Sequence, residues 1–458
     1  MKKYLFTILY SFLFLAIFSS CRIWNFFLAE DNFSSLTSDV QSSLPSYTPD
    51  VQWSLKTSTY GGSSTIKQHD RYLYLIETYK DDPEKITYGI AKIDLQTGSY
   101  VWKSSELTKC LSLSEPIACG DYVFLEKPGG ANELPSSIYC FSDLDGKLLA
   151  TITFGNSERE KHARRISNRS LYSIEDQYLI WSNGYIRSDY EDFDFGILRI
   201  DISKIDFSVE PETEQYMCPE TLLKLDRSIY THFENNGEVV FYTTYNAFDD
   251  CKDCITGAIN AVTGEKLWSR ESADMHGTGV NGLYFLNDPE KKLTNRLYSF
   301  ENFVGCYNTD SGDTIWEKIQ TVDELVDEMC LGGLIYDKGV FYSDGCFYYT
   351  TSETESKERN PDVISNIKCM DAKTGKIKWG YIPKNSSSLF TRPIVADGKV
   401  FVLTFEQGLY VFDKDTGKLL GVDESIYTYG YEKNALYNGN VIFFDFASGQ
   451  GVLKAIKP

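Results

Sequence analysis

Two cysteines separated by two residues, Cys251 and Cys254 in the string CKDC, have the spacing that most directly suggests chemistry. Such a pair can form a local disulfide, help to bind a metal ion or exchange disulfides. A zinc site would need a second CxxC pair or two histidines, and the sequence provides no matching set. CKDC is also predicted to lie at a hairpin tip, away from any helix dipole that would lower a thiol pKa. The pair could therefore form a disulfide or remain as thiols, and a catalytic or metal role is disfavoured.

The histidines and the acidic loops form no recognisable catalytic or metal-binding pattern. None of the four histidines belongs to an HxH or HxxxH pair; they are His69, His162, His232 and His276. The string DMHGTG (274–279) has a glycine-flanked histidine, but no G-x-S-x-G elbow accompanies it. Acidic loops such as FDDCKDC (248–254) and DELVDE (323–328) lack the spacing of a dedicated calcium loop. The sequence therefore predicts no catalytic residue, no bound metal and no cofactor.

The composition favours strands and disfavours a nucleic-acid partner. Among 458 residues there are 32 Tyr and 28 Phe, and aromatic residues reach 15%. Such residues suit half-buried strands, and no long stretch shows the 3.6-residue apolar period of a helix. The formal net charge of −20 repels phosphate backbones. A cationic ligand or a basic partner protein stays open, although the acidity could serve solubility alone.

The amino-terminal residues have the pattern of an export signal. Lys2 and Lys3 precede the apolar run 5–18, which is short for a membrane span. The string SSC that follows resembles a bacterial lipoprotein signal, in which Cys21 would become the lipidated first residue. Phe18 departs from that pattern, so ordinary cleavage or an uncleaved anchor are the alternatives. We expect a signal peptide over 1–20 and, over 21–50, the lipidated cysteine with a flexible tether.

A nine-residue string, D/N-x-x-S/T-G-x-x-x-W, occurs four times, and we call it the tag. Its copies cover 94–102, 260–268, 308–316 and 371–379, and a weaker copy without tryptophan begins at Asp413. Asp or Asn opens a turn, glycine supplies a positive φ, and the tryptophan lies on the returning strand. One indole per repeat indicates packing between repeats. The residues predicted to dock one repeat on the next are Trp53, Asp94, Gly98, Trp102, Gly264, Trp268, Gly312, Trp316, Asp371, Gly375, Trp379, Asp413 and Gly417.

A tight turn followed by a hydrophobic strand recurs eight times in phase with the tag, as in CGDYVFLE (119–126). Each repeat then contains four antiparallel strands, and the set predicts an all-β, eight-bladed β-propeller over 51–458. The last repeat lacks a fourth strand, which VQWSLK (51–56) could supply, so that the ring closes without exposed edges. A seven-bladed ring is the alternative, because the third repeat, around LRIDISKID (198–206), is degenerate.

The tags AKIDLQTGSYVW (91–102) and AINAVTGEKLW (258–268) resemble the pyrroloquinoline-quinone (PQQ)-type propeller repeat. That family contains quinone-dependent dehydrogenases, and also non-enzymatic lipoproteins such as the propeller subunit of the β-barrel assembly machinery. The dehydrogenases hold PQQ in the central funnel with an adjacent Cys-Cys pair, a tryptophan floor and Ca²⁺. This chain has no adjacent cysteines, and its spare tryptophans are Trp24 and Trp181. The resemblance therefore favours the lipoprotein branch over the dehydrogenases.

These observations predict a non-catalytic, lipid-anchored protein of the bacterial cell envelope, at either membrane. Its propeller would be a monomeric scaffold whose loops and blade rims bind a protein partner. The alternative is a quinone- or metal-dependent enzyme, or a small-ligand or carbohydrate binder, that uses the central funnel.

Overall fold

The structure is a computed structural model, and the account below concerns the residues that it describes. These are residues 36–38, 45–58, 66–82, 85–104, 107, 115–127, 137–154, 172–183, 195–217, 219–225, 230–245, 255–271, 283–300, 303–319, 339–354, 363–382, 391–404, 408–426, 428, 434–448 and 451–458. Cys21, Cys251 and Cys254 lie outside them.

The described strands form eight sheets, each with four antiparallel strands, which we number as blades 1 to 8 along the chain. The first two strands of the chain are β1 (Leu36–Ser38) and β2 (Asp50–Lys56). Blade 1 consists of β3 (Ile66–His69), β4 (Tyr72–Asp82), β5 (Lys85–Asp94) and β6 (Ser99–Lys103). Blade 2 consists of β7 (Ile117–Cys119), β8 (Tyr122–Lys127), β9 (Ser137–Ser142) and β10 (Leu148–Phe154). Blade 3 consists of β11 (Tyr172–Ile174), β12 (Tyr178–Asn183), β13 (Phe195–Asp201) and β15 (Glu220–Leu225), with β14 (Glu214–Met217) between the last two along the chain.

Blades 4 to 8 follow the same plan. Blade 4 consists of β16 (Tyr230–Asn236), β17 (Val239–Tyr245), β18 (Ile255–Asn260) and β19 (Lys266–Glu271), and blade 5 of β20 (Leu283–Asp288), β21 (Leu293–Phe300), β22 (Phe303–Asn308) and β23 (Thr314–Ile319). Blade 6 consists of β24 (Val340–Ser343), β25 (Cys346–Thr354), β26 (Val363–Asp371) and β27 (Ile377–Ile382), and blade 7 of β28 (Ile394–Ala396), β29 (Lys399–Thr404), β30 (Gly408–Asp413) and β31 (Leu419–Asp423). Blade 8 consists of β32 (Ala435–Tyr437), β33 (Asn440–Asp445) and β34 (Val452–Lys457), with β2 as its fourth strand.

The blades stand in a closed ring, because a hydrophobic cluster joins every consecutive pair. The cluster between the last and first blades shows the closure: Leu73 and Leu75 of blade 1 pack with Phe444 and Leu453 of blade 8. The first strands of several neighbouring blades contact each other, so the first strand of a blade is innermost and the fourth outermost. The prediction of an eight-bladed propeller is confirmed, and the seven-bladed alternative is wrong.

The amino-terminal strand completes the last blade, as the sequence predicts. Strand β2 pairs antiparallel with β34 from Asp50 opposite Lys457 to Lys56 opposite Val452. Blade 3 has its full set of four strands, although its repeat is degenerate. Its fourth strand is displaced along the chain by residues 202–219, which contain the 3₁₀ helix Ile202–Lys204 and β14.

Three further segments pair in parallel with the outer edges of blades. Strand β14 lies along β10 of blade 2, and β1 lies along β27 of blade 6. Ser46 forms a parallel bridge with Val422 on blade 7, where Tyr47 N donates to the Val422 carbonyl at 2.9 Å. Residues 36–38 and 45–50 of the expected tether therefore lie on the propeller, and 21–35 and 39–44 lie outside the described residues. Within the described ranges, no helix is both long and apolar enough to cross a membrane.

Candidate functional site

The tag forms a turn that its own side chains hold closed. In blade 6, Asp371 Oδ1 accepts hydrogen bonds from the Thr374 amide at 2.9 Å and the Thr374 hydroxyl at 2.8 Å. The Gly375 amide donates to the Asp371 carbonyl at 2.8 Å. The φ of Gly375 is +69°, a conformation that glycine adopts without strain. The turn is thus determined locally, by residues within five positions.

Five indoles lie against the glycine of the next blade's turn. The contacts are Trp53 with Gly98, Trp102 with Gly146, Trp268 with Gly312, Trp316 with Gly375, and Trp379 with Gly417. A Cβ atom placed on any of these glycines would lie 2.4–2.7 Å from an indole carbon. Gly264 differs, because its nearest neighbour is Leu222 of blade 3 at 3.7 Å. The outer strand of blade 3 carries no tryptophan, which explains the looser contact.

Three of these indoles also donate a hydrogen bond into the next blade's turn. Trp102 Nε1 donates to the Asp143 carbonyl at 2.8 Å, Trp268 Nε1 to the Thr309 carbonyl at 2.7 Å, and Trp379 Nε1 to the Lys414 carbonyl at 2.9 Å. Trp316 is an exception, since its buried Nε1 has no partner among the described residues. The corresponding acceptor, the Ala372 carbonyl, instead accepts the Tyr298 hydroxyl at 2.9 Å.

Charged pairs reinforce the interface between blades 1 and 2. The buried Lys92 ammonium lies 2.7 Å from Asp143 Oδ2, and the Tyr74 hydroxyl donates to Asp143 Oδ1 at 2.6 Å. Within blade 1, Arg71 pairs with Asp94 of the tag. The hydrogen bond from Arg71 holds the pKa of Asp94 below its usual value. The contacts of Asp143 join strands of blade 1 to the turn of blade 2, and the Arg71–Asp94 pair holds the tag of blade 1 to its own blade.

The residue before the tag tryptophan points away from the core. Val101, Leu267 and Ile315 are 47%, 43% and 39% exposed at this position, and Leu420 is 40% exposed at the corresponding position of blade 7. Each lies where the ladder between the third and fourth strands shifts register, a β-bulge that turns the side chain outward. Blade 6 differs, because it has Lys378 at the bulge.

The outer edges fall into two groups. Those of blades 2, 6 and 7 are paired with β14, β1 and the residues around Ser46. Across the described ranges, no further strand pairs with the outer edges of blades 1, 3, 4, 5 and 8. Blades 4 and 5 are neighbours, so β19 and β23 place two such edges side by side on the rim, with Leu267 and Ile315 exposed. Open edges of this kind can pair with another chain.

Blade 6 also contains a thiol cluster that the sequence-based reasoning missed. Lys378 Nζ lies 2.9 Å from Cys346 Sγ, and the thiol of Cys369 lies beside the same sulfur. The one sign of this cluster in the sequence is Lys378 itself, because the other tags have an apolar residue at the same position. The cysteines are 23 positions apart, so their proximity depends on strand pairing. All five described cysteines, Cys119, Cys140, Cys306, Cys346 and Cys369, are buried and free.

The remaining predicted candidates do not converge on one site. His69 ends β3 with an exposed side chain, and His232 lies on β16 of another blade. His162, His276 and the acidic loop 323–328 lie outside the described residues. In the described part of the chain, no three His, Cys, Asp or Glu side chains are grouped as metal ligands. Two buried carboxylates are additional features: Glu77 accepts from Lys103 Nζ at 3.1 Å, and burial raises the pKa of Glu126.

Comparison with known proteins gives the same architecture. Residues 301–452 match the family model described as outer membrane protein assembly factor BamB. No curated protein sequence matches the chain. The structure of BamB from Moraxella catarrhalis shares 10% identity and a TM-score of 0.53, with 90% of this chain and 98% of that chain covered.

Two dehydrogenase structures are also similar. A europium-containing methanol dehydrogenase has 13% identity and a TM-score of 0.57, with 89% of this chain and 93% of that chain covered. The quinohemoprotein alcohol dehydrogenase ADHIIG from Pseudomonas putida HK5 has 11% identity and a TM-score of 0.57, with coverage of 93% and 78%. At such identities the likeness concerns the fold alone. The chain is a β-propeller, and the match over residues 301–452 supports the resemblance to PQQ-type propellers such as BamB that the tags predict.

Proposed function

We propose that the protein is a non-catalytic scaffold of the bacterial cell envelope whose blade rim binds an extended segment of a partner protein. The proposal rests on one observation: three segments of this chain pair with the outer strands of its own blades. Strands β1 and β14 and the residues around Ser46 each add in parallel to the outermost strand of a blade. Strand addition is a common mode of peptide recognition, in which main-chain hydrogen bonds provide affinity and side-chain contacts provide specificity.

The outer edges of blades 4 and 5 are the best candidates for the partner. They are adjacent, and at their bulges they expose Leu267 and Ile315, whereas blade 6 has Lys378 at that position. An exposed apolar side chain at the bulge provides an apolar contact for the partner segment, and a charged side chain there would remove that contact. A partner segment with alternating apolar residues would fit this surface.

The proposed location rests on the amino-terminal pattern and on the resemblance. Lys2, Lys3, the apolar run 5–18 and Cys21 have the order of a lipoprotein signal. The matching family model bears the name of an outer membrane assembly factor. A single lipid chain binds membranes only marginally, so stable anchoring of Cys21 would need more than one acyl chain.

The rim is tested by site-specific photo-crosslinking in the organism's own cells. A photoreactive residue is placed at Leu267, at Ile315 or, as a control, at Leu144, which is 86% exposed in the tag-like turn of blade 2. We expect the same discrete protein adduct from both rim positions and none from Leu144. Adding Leu267→Lys to the Ile315 probe should abolish the adduct. Lysine is native at the matching position 378, so folding should be preserved.

The rim proposal fails if neither rim position gives an adduct, or if Leu267→Lys leaves the Ile315 adduct unchanged. The anchor is tested separately with Cys21→Ser, which should release the protein into the aqueous fraction or leave an unprocessed precursor. Unchanged processing together with unchanged membrane association would contradict lipidation. The absence of catalysis is tested on the purified protein, since stoichiometric quinone or Ca²⁺ would contradict it.

A further inference from the structure

Cys346 and Cys369 lie on one face of blade 6, where the blade meets blade 7. In the ladder between β25 and β26, Cys346 is opposite Asp371 and Tyr348 is opposite Cys369. Residues two apart on a strand share a face, so the two cysteines are diagonal neighbours. They are 5% and 1% exposed, within a cluster that includes Trp379 and Phe412.

Lys378 brings a positive charge to this otherwise apolar interface. It occupies the bulge before Trp379, where the tags of blades 1, 4 and 5 have Val101, Leu267 and Ile315. The fold therefore accepts an uncharged side chain at this position. The Lys378 side chain is 45% exposed, and its Nζ lies 2.9 Å from Cys346 Sγ and 3.9 Å from Asp371 Oδ2. The ammonium is thus closer to the thiol than to the nearby carboxylate.

The surroundings of Cys346 favour its ionised form. The hydrogen bond from Cys369 and the Lys378 ammonium lower the pKa of Cys346, against the opposing effects of burial and of Asp371. Cys346 in turn raises the pKa of Lys378, and the pKa of Cys369 is raised by its hydrogen bond with Cys346 and by burial. The surroundings thus favour the ionised form at Cys346 and the protonated form at Cys369.

The other ionisable groups around the pair are Tyr342 and Tyr348 of blade 6 and Lys414 of blade 7, whose ammonium is paired with Asp344. The remaining described thiols provide a contrast. Burial is the largest influence on the pKa of Cys119, Cys140 and Cys306, and it raises all three values. In the described part of the chain, Cys346 is therefore the thiol in an environment that suits a nucleophile.

We propose that Cys346 is a site of oxidation by hydroperoxides, with Lys378 stabilising the thiolate and Cys369 poised to react with the oxidised sulfur. The thiolate attacks one peroxide oxygen; the S–O bond forms, the O–O bond breaks, and hydroxide or alkoxide leaves. The sulfur loses two electrons, which the peroxide gains, and the product is a sulfenic acid. Attack by the Cys369 sulfur then forms an S–S bond, breaks the S–O bond and releases water.

A hydroperoxide suits this site because Cys346 is only 5% exposed. A small oxidant needs less access than a bulky disulfide, which must be approached along its S–S axis. The site is independent of the proposed rim-binding function, because neither Leu267 nor Ile315 takes part in it. Failure of one proposal therefore leaves the other untouched.

The test treats the full-length protein with hydrogen peroxide and a sulfenic-acid trap, dimedone, and locates the products by peptide mass spectrometry. We expect either a dimedone adduct at Cys346 or a Cys346–Cys369 disulfide, while Cys140 and Cys306 stay unmodified. With Lys378→Leu, the oxidation rate at pH 7 should fall about tenfold or more, because a thiol of ordinary pKa is only a few per cent ionised there. The midpoint of the pH–rate profile should rise in parallel.

Lys378→Arg serves as the matched control, because it keeps the charge and should keep most of the rate. Its unfolding midpoint is compared with that of Lys378→Leu, so that a loss of folding is distinguished from a loss of charge. The proposal is overturned if Cys346 in the wild type reacts no faster than Cys306. It is also overturned if a folded Lys378→Leu variant is oxidised at the wild-type rate with the same pH midpoint.

Discussion

Gly264 and Gly312 have nearly the same backbone conformation, with φ of +76° and +74°, but they have different neighbours. A Cβ atom at Gly312 would lie 2.5 Å from the Trp268 indole, whereas at Gly264 the nearest atom is 3.7 Å away in Leu222. Alanine at either position must adopt a left-handed conformation, at a cost of about 1–2 kcal/mol. Only Gly312→Ala must also displace an indole, which costs about 1–3 kcal/mol more.

We therefore expect Gly312→Ala to destabilise the propeller more than Gly264→Ala by about 1–3 kcal/mol. Urea unfolding of the two variants, followed by tryptophan fluorescence, measures the difference directly. Because the backbone strain is shared, the difference reports the indole contact alone. Equal losses of stability would show that the tryptophan adapts freely, and would contradict a docking role for the tag.

At the scale of single residues, the sequence reveals those whose role depends on the one contact that each repeat makes, the packing of a tryptophan on a glycine. The recurrence of tryptophan four positions after glycine is visible in the letters, and the structure packs each of these tryptophans against the glycine of the next blade's turn. Exceptions to the repeat are harder to predict. For example, the buried Nε1 of Trp316 has no partner among the described residues, while the Ala372 carbonyl accepts a hydrogen bond from Tyr298 on a different strand. The link between Lys378 and Cys346 likewise requires three strands in register.

The stability of the tag turn should depend on pH. In blade 7, Asp413 Oδ1 accepts hydrogen bonds from the Thr416 amide at 2.8 Å and the Thr416 hydroxyl at 2.6 Å, and these bonds lower the pKa of Asp413. A carboxylate whose pKa is lower in the folded chain stabilises the fold above its unfolded pKa, about 3.9. That stabilisation is lost as the pH falls through the folded value.

Asp413→Asn tests this linkage with a change that the repeat already contains. Asn260 and Asn308 occupy the same tag position, and Asn308 Oδ1 accepts from the Asp310 amide at 2.8 Å and the Ser311 amide at 3.1 Å. The variant should keep the turn but lose the titration, so its urea midpoint should decrease less than that of the wild type between pH 6 and pH 3. A steeper decrease in the variant would contradict the assigned role of the carboxylate.

The elements divide into those that local sequence determines and those that it does not. Strands and tag turns were predictable, because alternation, Asx residues and glycine act within a few positions. The added strands were not. The segments LTS (36–38) and EQYM (214–217) have no distinctive pattern, and their parallel pairing with blades 6 and 2 depends on edges far away in the sequence. The rim was therefore predicted only as a general binding region.

For the whole molecule, the number of repeats and their phase predicted both the number of blades and the closure. The ring has no free end because β2 and β34, from opposite ends of the chain, share blade 8. Each hydrophobic cluster is contributed mainly by two neighbouring blades, so every interface depends on both of its blades being held in place. Stability should consequently be sensitive to the closing strand in particular.

Two amino-terminal truncations isolate that closure. A chain beginning at Asp50 loses β1 and the residues around Ser46 but keeps β2, whereas a chain beginning at Ser58 loses β2 as well. The shorter chain would leave β34 as an exposed edge and would uncover the apolar cluster that Trp53 and Leu55 contact. We expect the Asp50 chain to unfold cooperatively near the wild-type temperature, and the Ser58 chain to unfold at a lower temperature and to aggregate. A peptide spanning 45–57, added to the Ser58 chain, should restore part of the loss by pairing with β34, and indistinguishable unfolding of the two truncated chains would contradict closure by this strand.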